Sequence, residues 1–456
     1  MSHKRWILSM AVLAAAGMQP GASGQNERGD GIVLSTTDAE AIYNVGPITA
    51  TPLLEMSPGA TVEFNGELFP ALAALPPPPI LDDLPQWVGP DGFPEKDEDG
   101  MPKLDDPLVK LGYILFFDPR FSGDGSVSCS TCHVPAEGWG LNSAVSRGYP
   151  GTSHWRNSQT VVNSAYMNKL FWGGDTPELG QQAEDAKTGL SGNAKPDMVE
   201  ERIAQVPEYV EMFKEVFGTQ WPLEKDAWRA MGAFERVMND ENTFFDQYMR
   251  GDETAMTEEE LLGMELFQGK AGCIQCHNGP LLTDQKYYNT GAPESVTLLR
   301  DPLVQTGARW QYYRKGIGED VYRKANFDIG LYSNTKVKGH MGLQRTAPLR
   351  YLLYTPPYMH NGSIDTLEEV VEFYNQGGGP DPVLRDLGYS TKTDRLKPLN
   401  LTEDESFALV VFLESTSGEE LLLPSPEIPS DQPFAGAIAK FGDLEPETFD
   451  DIPPPQ

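Results

Sequence analysis

Two copies of one five-residue pattern constrain this chain more than anything else in it: Cys129-Ser-Thr-Cys132-His133 and Cys273-Ile-Gln-Cys276-His277. Each reads C-x-x-C-H, the attachment signature of a c-type haem. Two thiols at this spacing reach the two vinyl groups of one porphyrin and become thioethers. The His that follows coordinates the iron through an imidazole nitrogen. The chain has four cysteines, and the two patterns use all of them. A C-x-x-C pair also serves as a redox disulfide or as half of a zinc site. Neither role accounts for a His directly after both pairs in a chain with 6 His among 456 residues. The sequence therefore predicts two covalently attached haem c groups, with His133 and His277 as iron ligands.

The start of the chain agrees with that chemistry. Lys4 and Arg5 precede an apolar run from Trp6 to Met18, followed by Gly21-Ala22-Ser23-Gly24. This order predicts a secretory signal peptide over residues 1–24. Haem is attached to C-x-x-C-H outside the cytoplasm, so a periplasmic location is expected. No other stretch approaches the length of a membrane span. The net charge is −32, from 67 acidic and 35 basic residues. That balance argues against a nucleic-acid partner; it would steer a basic redox partner, or simply keep an exported protein solvated.

The remaining pattern is mainly helical. Leu108, Leu111, Leu115 and Phe116 share one face, with Asp105 or Asp106 placed to cap the start. Leu262-Gly-Met-Glu-Leu-Phe267, before the second haem pattern, echoes Leu111-Gly-Tyr-Ile-Leu-Phe116, before the first. An internal duplication of a cytochrome-c-like unit is the simplest account. Helices are expected over 199–217, 226–249, 367–374 and 402–413, the last opened by a Thr402-x-x-Glu405 capping box. Asn65-Gly66, between Ala60–Phe64 and Glu67–Phe69, predicts a small β-hairpin. The expected organisation is a signal peptide (1–24), an N-terminal extension and linker (25–100), a first cytochrome-c-like haem domain (101–257), a second one (258–420) and an acidic Pro-rich tail (421–456).

Several longer runs make a resemblance specific. Leu111-Gly-Tyr-Ile-Leu-Phe-Phe-Asp118, Arg156-Asn157, Phe171-Trp172-Gly-Gly and Gln182-Ala183 resemble the N-terminal half of the bacterial di-haem cytochrome c peroxidase/MauG family. Pro348-Leu-Arg350, Thr355-Pro-Pro-Tyr-Met-His-Asn-Gly362 and Glu372-Phe-Tyr-Asn-Gln-Gly-Gly378 resemble its C-terminal half. The match runs in order over about residues 105–415.

This resemblance implies a site. The first haem would be peroxidatic, with Gln182 as the distal glutamine and Trp172 as the conduit between haems. Tyr149 stands where peroxidases of the family carry a displaceable His. His154, five residues on, is read as a structural hydrogen-bonding residue. The sixth ligand of the second haem would be Tyr374, as in the MauG branch, with Met359 and Met341 as rivals; a phenolate favours oxidised iron and a thioether the ferrous state. Arg350 would belong to the cofactor site. Asn157, Thr355 and Pro357 match positions that hold a calcium ion, for which their oxygens are suitable hard ligands. The family's distal Glu-Met pair is replaced by Asp197-Met198 after about five extra residues, and Glu184 or Asp185 are alternatives for the same proton-transfer role.

The expected function is that of a periplasmic di-haem c-type peroxidase. It would reduce hydrogen peroxide at the His133 haem, with electrons from a small cytochrome c, or another periplasmic donor, passed through the His277 haem. Two further readings stand beside it: a MauG-like enzyme that oxidises aromatic residues of a protein substrate, and a di-haem electron carrier without catalysis.

Overall fold

The computed structural model describes residues 60–79, 88–148, 151–219 and 221–429. The expected signal peptide, most of the acidic tail and Tyr149 lie outside these described residues.

The chain is mainly helical. Its first half carries α1 (Pro107–Phe117), α2 (Leu179–Thr188), α3 (Pro196–Ala204), α4 (Pro207–Phe217), α5 (Glu224–Val237) and α6 (Phe244–Met249). The second carries α7 (Glu258–Gln268), α8 (Val296–Arg300), α9 (Pro302–Arg314), α10 (Glu319–Tyr322), α11 (Tyr332–Thr335), α12 (Leu367–Asn375), α13 (Pro382–Leu387) and α14 (Glu403–Ser415). Among the described residues three small antiparallel ribbons accompany them: β1 (Thr61–Phe64) with β2 (Glu67–Pro70), β3 (Arg147–Gly148) with β4 (Thr152–Ser153), and β5 (Tyr287–Tyr288) with β6 (Gln344–Arg345).

Local chemistry explains these boundaries. The Asp106 carboxylate accepts hydrogen bonds from the Leu108 and Val109 N–H groups at the start of α1, satisfying donors a helix end leaves open. Thr402 and Glu405 form the expected capping box of α14. Asn65 and Gly66 both have positive φ, which closes the β1–β2 hairpin in the expected register. Two expected helices are each split. Pro207 opens α4 because proline cannot donate the hydrogen bond needed to continue α3. Between α5 and α6 the Asp240 N–H donates to the Asn163 side chain, and Thr243 with Asp246 forms a new capping box.

Helix α1 is buried almost all round. Leu108, Leu111 and Leu115 join Ala227 and Met231 of α5 and Phe213 of α4, while Val109, Tyr113 and Phe116 join Trp139, Phe234 and Val237. In the second half Leu266 and Phe267 of α7 pack with Leu409, Phe412 and Leu413 of α14 and Val371 of α12. Phe69 of β2 and Leu72 belong to that same core. Leu75 is also buried, and its N–H donates to the Asp246 carboxylate. The stretch expected to be linker is thus packed structure as far as residue 79.

The echoed Leu-Gly-x-x-Leu-Phe segments now have a physical reason. Gly112 faces the Ala230 carbonyl of α5, and Gly263 faces the Ala408 carbonyl of α14; a Cβ at either glycine would overlap that backbone. Each glycine lets two helices cross at contact distance just before a haem pattern. Gly112→Ala and Gly263→Ala should each cost about 1–3 kcal/mol through overpacking. Chemical denaturation followed by circular dichroism should show lower midpoints for both variants.

Candidate functional site

Both Cys-His patterns take the same local shape. Cys129–Thr131 and Cys273–Gln275 each form a short 3-10 turn. The His133 N–H donates to the Cys129 carbonyl, and the His277 N–H to the Cys273 carbonyl. All four cysteines are free of disulfides. Burial pushes the Cys129 thiol up to about 11 and those of Cys273 and Cys276 up to about 12. Thiols held this strongly protonated are poorly suited to thiol–disulfide exchange, which proceeds through the thiolate. Among the described residues no group of three or more His, Cys, Asp or Glu is arranged to hold a metal ion, so the two pairs do not converge on a zinc site.

The imidazoles are held alike. His133 Nδ1 lies 3.1 Å from the Trp139 carbonyl oxygen, and His277 Nδ1 lies 3.0 Å from that of Leu282. A carbonyl only accepts, so Nδ1 carries the proton and Nε2 keeps its lone pair for a metal. Burial lowers the pKa of both rings, which favours the neutral, ligating form. Trp139 and Leu282, the residues that present these carbonyls, both have positive φ.

All six pattern residues line one cavity of about 1100 Å³. Pockets for a single small ligand span roughly 300–1,000 Å³. The free thiol pairs, the oriented imidazoles and the size of the space fit two large flat cofactors attached at Cys129–Cys132 and Cys273–Cys276.

Other expected site residues gather on this wall. Trp172 is buried, donates from Nε1 to the Asn157 carbonyl at 3.0 Å, and meets His360 edge-to-face with ring centroids 6.3 Å apart. Leu179, Gln182, Asp185 and Ala186 present one face of α2 to the cavity. Asn157, Thr355 and Pro357 also line it. The Asn157 side-chain N–H donates to the Ser143 carbonyl at 3.2 Å, which leaves its side-chain oxygen available. The Thr355 and Pro357 carbonyls accept no hydrogen bond among the described residues. His154 stacks on Trp155 with centroids 3.9 Å apart, and its Nδ1 accepts from the Arg156 N–H, a structural role as expected.

Tyr374, on α12, lines the cavity with its hydroxyl unbonded among the described residues. Burial raises its pKa, and the Cys276 and Cys273 sulfurs add to the effect, which places the phenol close to the second thiol pair. Met359 lines the cavity as well. Met341 does not: it is buried in a separate core with Trp155, Phe327 and Val383.

Asp197 lies exposed in the first turn of α3 and is absent from the cavity wall, where its charge favours the helix N-terminus instead. The carboxylate on the Gln182 face is Asp185, whose exposed surface opens on the cavity. Burial, with help from Glu184 and Asp175 and against Lys315, lifts it to about 6. Arg350 lines the wall, and four of its five guanidinium N–H groups are spent inside the protein. It donates to Asp246 Oδ2 at 2.6 Å, to the Pro280 carbonyl, and to the Ala73 carbonyl at 3.3 Å. Both members of the Arg350–Asp246 pair have fully buried side chains.

A cation the sequence did not single out stands nearby. Arg345 is buried on the cavity wall and donates to Gln159 Oε1 at 2.9 Å and to the Phe171 carbonyl at 3.2 Å. It forms no ion pair among the described residues, and burial lowers it to about 10. Nothing in Gln344-Arg345-Thr346 marks it in the sequence; only burial without an acid reveals it.

A family model described as di-haem cytochrome c peroxidase matches residues 106–254. The cytochrome-c peroxidase IdrP1 of Pseudomonas sp. (strain SCT) is 46% identical over 379 residues, 82% of this chain and 93% of the relative. This chain belongs to the di-haem cytochrome c peroxidase family. The methylamine utilization protein MauG of Methylorubrum extorquens is 32% identical over 325 residues, 70% of this chain and 81% of that one. A crystal structure of a MauG-like protein associated with microbial copper homeostasis matches with a TM-score of 0.58 at 26% identity, over 77% of this chain and 99% of that one. Family membership makes the chain an oxidoreductase and implies covalently bound haem c and peroxidase chemistry. It gives no support to the carrier reading. Among the described residues no helix is long and apolar enough to cross a membrane.

If Arg350 is an internal clamp, Arg350→Met should destabilise the protein by about 3–5 kcal/mol, because Asp246 is left buried and unpaired. The double variant Arg350→Met/Asp246→Leu should recover much of that loss in the same denaturation assay. A double variant no better than the single one would contradict the clamp.

Proposed function

We propose that this protein is a periplasmic di-haem peroxidase that reduces hydrogen peroxide at a haem held by Cys129, Cys132 and His133. A second haem, held by Cys273, Cys276 and His277, would receive electrons from a small cytochrome c or another periplasmic donor. The observation that carries this reading is the single cavity onto which both sets of ligands open, with Trp172 on the wall they share. When bound, haem iron supplies the redox chemistry that cleaves the peroxide O–O bond.

The protein's part is to place charge and protons. Gln182 and Asp185, one helical turn apart on α2, face the cavity together. Gln182 orients peroxide by hydrogen bonding, and Asp185 moves the proton from one peroxide oxygen to the other. Trp172, fixed by its bond to Asn157, carries electrons between the two centres. Arg345 would hold a haem propionate from the cavity wall. Asn157, Thr355 and Pro357 hold a calcium ion with their unspent oxygens. An overall charge of −32 favours a basic redox partner.

Asp185 acts as a base only when ionised, so peroxide turnover should rise with pH through about 6. Asp185→Asn should lower kcat by roughly 10²–10⁴-fold and remove that acid limb. Asp197→Asn should keep both the rate and the limb; the reverse pattern would return the role to Asp197.

One observation favours a second reading. A tyrosine beside the second thiol pair matches an enzyme that shares oxidising equivalents between two irons and oxidises aromatic residues of a partner protein. A phenol raised this far ionises only against a strong cation such as ferric iron. Tyr374→Phe should then change the low-spin ferric spectrum of the second haem, and Met359→Leu should leave it as it was. A silent Tyr374→Phe with an altered Met359→Leu would favour the ordinary peroxidases.

A further inference from the structure

The β1–β2 hairpin is built into the surroundings of the second thiol pair. Phe64 and Asn65, at its turn, line the cavity together with Gly272 and Cys273. A Cβ added to Gly272, next to Cys273, would overlap the tip of the Phe64 ring. Val62 and Phe64 pack against the core that contains Phe267, Ala271 and Ile274, with Cys273 at its edge. On its other strand, Glu67 pairs with Arg395 at 3.3 Å, and the Arg395 guanidinium lies 5.7 Å from the Phe69 ring centroid. Arg395 is itself on the cavity wall and acts electrostatically on Cys276. Below the hairpin, Leu75 and Ala73 are tied to Asp246 and Arg350. The hairpin is therefore anchored at its turn beside Cys273, across its width beside Cys276, and at its base.

A thioether joins each of these sulfurs directly to the porphyrin. Whatever covers the two sulfurs also covers the haem edge bonded to them. We propose that residues 61–70 shield the thioether edge of the second haem and so decide which reductants deliver electrons there. The proposal rests on the reading that Cys273 and Cys276 carry haem. Small diffusing reductants are held off by the Phe64 ring and the turn, so a single electron reaches ferric iron slowly from them. The same cover keeps water from that edge, which favours the less charged ferrous state and raises the potential. Leu68 points away and is 68% exposed, so it takes no part in the shield.

The test uses the full di-haem protein and a neutral hydroquinone, which removes surface charge as a factor. Reduction of the second haem is followed by stopped-flow absorbance, and its midpoint potential by spectroscopic titration. Phe64→Ala should accelerate reduction severalfold and lower the potential. Glu67→Gln, which frees Arg395 without opening the core, should accelerate reduction to a smaller degree and covers the case in which Phe64→Ala does not fold. Leu68→Ala should match the parent. Parental rates and potentials in both shield variants, with two haems attached, would overturn the proposal. A parent protein that lacks haem at Cys273–Cys276 would overturn the underlying reading instead.

Discussion

The hydrogen bonds from the His133 and His277 rings to the Trp139 and Leu282 carbonyls set the direction in which the rest of the site must face. Each fixes one tautomer and leaves the Nε2 lone pair for a ligand. Each also depends on a residue with positive φ, a conformation that costs a non-glycine residue of order 1–3 kcal/mol. Packing supplies the compensation. Trp139 and Leu282 are fully buried, and the Trp139 indole N–H donates to the Leu421 carbonyl at 2.6 Å. The same solution appears in both halves of the chain, as expected if one unit were duplicated.

Between the halves, buried charge pairs add to apolar packing. Arg156 grips Asp328 through two hydrogen bonds of 2.6 and 2.9 Å, and Lys315 pairs with Asp175 beside it. Burial alone would raise the Asp328 carboxyl, but the Arg156 guanidinium outweighs it and holds the pKa well below the usual carboxylate range. These pairs join residues 156 and 175 of the first half to 315 and 328 of the second, next to Trp172 and His360. Losing one partner of such a buried pair is costly. The group thus ties the segment that carries Trp172 to the second half of the chain.

Much of this was legible in the sequence where one residue type has one physical use. The Cys-His patterns, the Asn65-Gly66 turn, the Thr402–Glu405 capping box and the repeated Leu-Gly-x-x-Leu-Phe are local, and each gave the right element. Asp185 was legible only as an alternative to Asp197, because inserted residues shift the spacing and only the fold shows that Asp185 on α2 lines the cavity while Asp197 on α3 does not. Arg350 and Arg345 differ in a way no pattern shows: one has Asp246 as a buried partner brought in by the fold, and the other has no acidic partner among the described residues. Met341 failed as a ligand candidate for the same reason, since its distance from the cavity is set by tertiary packing.

The central claim is that both patterns hold haem covalently on one shared cavity. Intact mass of the protein exported from a host able to mature c-type cytochromes, taken under denaturing conditions, tests it most directly. The account predicts a mass equal to the processed chain plus two haems, with no free thiol left to alkylate. A mass showing one haem or none, with alkylatable Cys129–Cys132 or Cys273–Cys276, would contradict it.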